Sequence, residues 1–204
     1  MSGSAAKKLS FKQQQLQFRE NAILDVVNRL LAKKGFDLMT MDEVAAEVGI
    51  AKASLYKHFE SKEVLSAASM TRLMEQTIAV ASSLPASLCA LDKLKSIVRW
   101  AIQTHLGGTM PLLPSTRSSI QQALLTYPPY IEKLSALTEQ LGGWIGEAQE
   151  HGTLSNTLPG EVILYTIFAR SCDPVADFLK MGGAFSDAEI VELLIRTCFD
   201  GMTG

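Results

Sequence analysis

Between Thr40 and Lys62 the chain reads TMDEVAAEVGIAKASLYKHFESK, a stretch with room for little beyond two short helices around a tight turn. Thr40 followed three residues later by Glu43 fits a capping box. The hydroxyl accepts an early helical N–H and the carboxylate reaches back to the cap. A helix over 42–48 then puts Val44, Ala45 and Val48 on one apolar stripe. Gly49 stands where a chain reversing between helices needs a left-handed residue, which glycine adopts without a Cβ clash. A second helix over 52–59 turns Leu55 and Phe59 inward and Lys52, Ser54, Tyr56, Lys57 and His58 outward. Short helix, glycine turn and a helix rich in exposed hydrogen-bonding groups form the helix-turn-helix pattern, and double-stranded DNA is the expected partner.

The flanking segments are helical by the same criteria. Leu16, Ile23, Val27, Leu30 and Leu31 recur at helical spacing over 13–34, and Gly35 supplies the stop behind Lys33 and Lys34. Ser61 reads as the N-cap of a long helix that runs to about Ser83, before Pro85. No Pro-, Gly- or Ser-rich linker intervenes, so the connection to the downstream part is expected to be rigid. Further helices are expected over 90–106, 115–126, 129–151, 159–181 and 187–202, with Gly107-Gly108, Pro111, Pro114, Pro128-Pro129, Gly152 and Gly182-Gly183 at the breaks. The 129–151 helix has a seam of Ile131, Leu134, Leu137, Leu141, Ile145 and Ala148. The 159–181 helix is apolar around most of its circumference, which implies cover from both sides. Asp173-Pro174 removes one of its hydrogen bonds, so a kink is expected there. The fold class is all-α.

Charge divides unevenly. Residues 1–62 hold ten Lys and Arg against seven Asp and Glu, a net +3, while the remainder carries a net −5. A modest positive excess around the motif suits a nucleic-acid partner. No apolar run approaches the roughly 18 residues that a membrane span needs, and the N-terminus has lysines but no apolar h-region. A cytoplasmic protein without membrane association is expected. Cys89, Cys172 and Cys198 are odd in number and widely spaced, which reads as reduced buried thiols; neither a metal site nor a cofactor is expected.

Residues 17–74 resemble the DNA-binding domain of TetR-type transcriptional regulators. The likeness rests on Lys34-Gly35-Phe36, on Thr40-Met41 with Val44-Ala45, on Gly49-Ile50-Ala51-Lys52, and on Leu55-Tyr56-Lys57-His58-Phe59 with Lys62-Glu63. The downstream two-thirds is similar only in length, helical character and helix count. The resemblance implies a flexible arm or remnant of added sequence over 1–16. A small three-helix DNA-binding domain follows over 17–77, with its motif at 40–59, joined by a long helix to a larger ligand-binding and dimerisation domain over 78–204. It also implies a homodimer through the last long helices, and a repressor of a near-palindromic operator released by a small-molecule effector. The alternative is a protein of this fold that has lost DNA binding and acts as a ligand-binding or interaction module.

The candidate DNA contacts are Thr40, Ala51, Lys52, Ala53, Ser54, Tyr56, Lys57, His58 and Lys62. Lys52, Lys62, Thr40 and the Tyr56 hydroxyl suit phosphate oxygens, and His58 suits a helix-end bond near phosphate. Ala53, Ser54 and Lys57 suit base edges, and small Ala51 and Ala53 let the helix sit deep in the groove. The candidate effector-pocket residues are Trp100, His105, Met110, Arg117, Tyr127, Trp144, Tyr165, Phe168 and Cys172, each of which also suits an ordinary core. Arg170, Asp173 and Asp177 interrupt the apolar helix and are read as pairing across a dimer axis or facing a pocket. An enzyme is not expected: His58, His105 and His151 lie in separate segments and form no triad or metal spacing.

Overall fold

The computed structural model describes residues 10–111 and 120–202, and among them every regular element is helical. In chain order these are α1 (Phe11–Leu38), α2 (Met41–Val48), α3 (Lys52–His58), α4 (Lys62–Ser83), α5 (Ala90–Leu106), α6 (Ile120–Leu125), α7 (Pro128–Glu150), α8 (Gly160–Ala169), a 3-10 turn at Arg170–Cys172, α9 (Pro174–Gly182) and α10 (Asp187–Phe199).

α1 starts two residues before the expected Gln13 because Ser10 and Gln13 form a capping box. The Gln13 N–H donates to the Ser10 hydroxyl, and the Ser10 N–H donates to the Gln13 side chain. Residues 11–16, expected in the arm, are thus helical here, while residues 1–9 lie outside the described residues. Leu16, expected in the apolar seam, is 49% exposed, since nothing packs on the first two turns. Burial begins at Ile23 and continues through Val27, Leu30 and Leu31. Regular helix stops at Gly35, whose φ of 73° and ψ of 176° are closed to a residue with a Cβ. One further turn then carries Phe36 into the core.

The α2–α3 unit follows the sequence closely. Gly49 is left-handed, and its N–H and that of Ile50 both donate to the Ala45 carbonyl. Val44 and Leu55 are fully buried, and Met39 and Phe59 close the same small core. The capping box expected at Thr40 is only half made. The Glu43 N–H donates to the Thr40 hydroxyl at 3.3 Å, but the Glu43 carboxylate turns to the Lys34 ammonium. A full positive charge is a stronger partner for a carboxylate than a solvated backbone N–H. That ammonium also holds the Glu43 carboxyl below the usual range.

α4 is capped by the Ser61 hydroxyl, which accepts from the Val64 N–H at 3.1 Å. Its first half packs on α1, and its second half packs among α5, α6 and α7. Downstream, the helix expected over 159–181 is two helices. Pro174 has no N–H and its ring would strike the carbonyl four residues back, so helix cannot run through it. Asp173, the residue before proline, is extended (φ −75°, ψ 112°). Its carboxylate accepts the Val175 N–H at 3.0 Å and starts α9 afresh. Arg170 pairs with Asp173 within the chain. Asp177 pairs within the chain as well, with His105 at 3.0 Å. Of the helix expected over 115–126, only 120–125 fall among the described residues as helix. α10 ends at Phe199, three residues short of the expected Met202, ahead of left-handed Gly201.

Candidate DNA-reading surface and effector cavity

Because Leu55 and Phe59 anchor α3 from below, the opposite side faces solvent. Lys52, Ala53 and Lys57 are exposed there, Tyr56 is 44% exposed, and Ser54 is half-buried. Ala51, the N-cap, has no side-chain oxygen to offer, so α3 begins on backbone bonds alone. Thr40 is exposed at the start of α2; having accepted from Glu43, its hydroxyl keeps its own hydrogen to donate outward.

The cations differ in their availability. The Lys52 ammonium sits 2.9 and 3.0 Å from the two carboxylate oxygens of Asp42, and this contact raises the Lys52 pKa. Lys62 lies 4.2 Å above the Phe36 ring and donates to the Asp37 carbonyl at 3.3 Å, so it braces the turn after Gly35. His58 is largely buried, its Nδ1 3.5 Å from a Glu20 carboxylate oxygen on α1. Lys57 is the cation on α3 for which no partner is recorded among the described residues. Sequence reasoning missed Asp42 and Glu20 as partners, since each lies at least ten residues away along the chain.

The second feature is a half-open cavity of about 490 Å³ among α4, α5, α6, α7 and α8. Its wall is apolar: Leu73 and Met74 from α4, Ile97 and Ala101 from α5, Leu124 from α6, Leu137 and Leu141 from α7, and Ile167 from α8. Thr77, Gln121, Tyr130 and Thr138 add hydrogen-bonding groups, and no charged side chain lines it among the described residues. Burial pushes the Tyr130 hydroxyl pKa up. Of the candidate pocket residues, Trp100, Met110, Tyr165 and Phe168 line the cavity. The others sit elsewhere. His105 is paired with Asp177, and the Cys172 thiol donates to the Pro111 carbonyl at 3.5 Å. Tyr127 precedes α7 as its N-cap, and Trp144 lies under the Lys93 ammonium at 5.8 Å. Arg117 lies outside the described residues. The α4 lining residues Leu73, Met74 and Thr77 were missed because the helix over 61–83 was read as the rod that joins the two parts, and its residues were not named as wall.

Residues 23–68, from the buried half of α1 into α4, match the family of bacterial regulatory proteins described as the tetR family. This segment is similar to the N-terminal domain of that family. The HTH-type transcriptional regulator YerO of Bacillus subtilis (strain 168), itself uncharacterized, is 47% identical to this chain over 47 residues. That match covers 23% of the chain and only 16% of YerO. YvaF from the same strain, another uncharacterized HTH-type transcriptional regulator, is 26% identical over 191 residues, 90% of this chain and 95% of its own length. Among solved structures, FadR from Bacillus subtilis in complex with stearoyl-CoA superposes with a TM-score of 0.68 at 16% identity, covering 90% of this chain and 99% of FadR. AibR in complex with isovaleryl coenzyme A and operator DNA superposes at 0.63 and 20% identity, covering 89% of this chain and 98% of AibR. These two structures share the all-α fold of this chain over both the N-terminal helix-turn-helix unit and the larger helical part. No helix among the described residues is long and apolar enough to cross a membrane.

Proposed function

We propose that this TetR-type regulator is a homodimeric repressor that binds a near-palindromic operator and leaves it when an apolar, acyl-type small molecule fills the cavity. One observation carries the reading: α4 starts directly after the reading helix, packs on α1, and lines the cavity with Leu73, Met74 and Thr77 farther along the same rod. A ligand that displaces α4 therefore moves α3. A coupling of about 1–3 kcal/mol is enough to weaken DNA binding about 5–150-fold.

The dimer reading is supported by the outer faces of α8 and α9, where Val162, Val175, Phe178 and Met181 are all exposed. An apolar strip of that kind favours cover by a second copy. Two reading helices related by a two-fold axis would enter successive major grooves about 34 Å apart. On each, Ala53, Ser54 and Lys57 meet base edges, with Thr40, Lys52 and Tyr56 on phosphates. His58 and Lys62 serve to hold α3 and α4 on α1. The acyl-type effector follows from the uncharged wall and from the ligands carried by FadR and AibR. The site of action would be the cytoplasm.

Selection of bound fragments from random DNA, repeated with acyl-CoA thioesters of graded chain length, tests the proposal. A palindromic consensus lost on adding one chain-length class is the expected result. Absence of binding to any duplex at low salt would instead leave a ligand-binding module.

A further inference from the structure

The Lys52–Asp42 pair sits on the surface that the proposed function turns toward DNA. Asp42 lies in the first turn of α2 next to Thr40, and Lys52 opens α3. Both are exposed, yet the ammonium touches both carboxylate oxygens of Asp42. Other cations of the head are also engaged within the chain: Arg29 with Glu47, Lys34 with Glu43, and Lys62 with Asp37 and Phe36. Of these, only Lys52 stands on α3 itself. A phosphate that takes the Lys52 ammonium must displace a carboxylate already seated on it, and it then lies beside the uncovered negative charge. The phosphate contact is thus an exchange of one anion for another.

We propose that Asp42 acts through Lys52 as an internal anion that competes with DNA phosphate and lowers sequence-independent affinity for DNA. The inference rests on the DNA-binding reading of α3. Non-specific binding consists almost wholly of phosphate contacts. An internal competitor for one of those contacts therefore weakens every complex in which Lys52 meets a phosphate, and does so without regard to base sequence.

The test is a salt titration of the full chain on mixed-sequence duplex, comparing wild type with Asp42→Asn, Asp42→Glu, Lys52→Ala and the Asp42→Asn/Lys52→Ala double variant. Asp42→Asn should bind about three- to tenfold tighter at moderate salt. Its log–log salt slope should steepen by about one, because the freed ammonium now releases a counterion in full. Asp42→Glu should retain the wild-type slope. In the Lys52→Ala chain, Asp42→Asn should leave the slope unchanged. Loss of the α2 helix start would lower affinity, the opposite sign, so damage to the fold is not mistaken for the effect. An unchanged slope in Asp42→Asn overturns the proposal, and so does an equal gain in the Lys52→Ala chain. If wild type and Asp42→Asn both bind no duplex, the DNA-binding reading falls and this inference with it. If wild type binds and Asp42→Asn matches it, only the inference falls.

Discussion

The Ser69 hydroxyl donates to the Asn28 side-chain oxygen inside the contact between α1 and α4, and both residues are buried. Three residues along, Arg72 donates to the Asn21 carbonyl at 3.0 Å and to the Asp25 carboxylate at 2.7 Å. Polar bonds therefore fix the rotation of α4 about its axis relative to α1, where greasy packing alone would permit sliding. Ser69→Ala leaves the Asn28 oxygen buried without its donor. The expected loss is about 1–3 kcal/mol, read as a lower midpoint in urea denaturation. Asn28→Leu together with Ser69→Ala should cost less than Ser69→Ala alone.

Gly49 offers a cleaner backbone test. A Cβ built there meets nothing within 4 Å, so Gly49→Ala costs only the left-handed conformation. That is about 1–2 kcal/mol. Thermal melting should fall accordingly. Gly142→Ala, in the exposed stretch of α7 with equal space and an ordinary helical backbone, should stabilise slightly.

Filling the cavity should separate its two proposed roles. Ala101 lines it from the middle of α5, and Ala101→Leu adds bulk toward the empty side. Stability should change by less than about 1.5 kcal/mol, since the added carbons enter unfilled space. Operator affinity should persist while response to the acyl-type effector declines, measured by fluorescence anisotropy on one labelled duplex. Loss of the response with full retention of effector binding would contradict the assignment.

The α10 start carries a pH signature. The Ser186 N–H and hydroxyl both donate to the Glu189 carboxylate, at 2.8 and 2.7 Å, and hold its pKa below the usual range. A depressed folded-state value means that the contribution is present above the ordinary carboxylate range and is lost as pH falls through the lowered value. Glu189→Gln should therefore lower the melting temperature at neutral pH and flatten the acid limb of a melting-temperature profile. A parallel displacement of the profile at every pH would contradict this origin.

How far the sequence discloses this molecule depends on the range of each cause. Gly35, Gly49 and Ser61 were legible because a left-handed turn or an N-cap is decided within about four residues. The small core under α3 was legible for a related reason: Val44, Leu55 and Phe59 follow helical spacing. The partners of Lys52, Lys62 and His58 were not, since Asp42, Phe36 and Glu20 reach them only once α1, α2 and α3 have packed. Leu16 misled because periodicity reports which side of a helix is apolar and not whether anything covers it. At Asp173-Pro174 the sequence announced a disturbance, and the capping carboxylate of Asp173 enlarged a kink into a break. Most of the cavity wall stayed hidden because a buried Leu73 has the same sequence signature whether its neighbour is protein or empty space.

That break at Asp173 also bears on how such a chain diversifies. α8 turns Ile167 and Phe168 toward the cavity, while Phe178 and Met181 of α9 point outward. A single continuous rod would tie the two sets to one helical phase, so any shift that remodelled the chamber would rotate the outer strip with it. Two rods joined by a capped proline are free of that constraint. Mutation can reshape the part of the cavity wall that α8 supplies while the exposed face of α9 keeps its register.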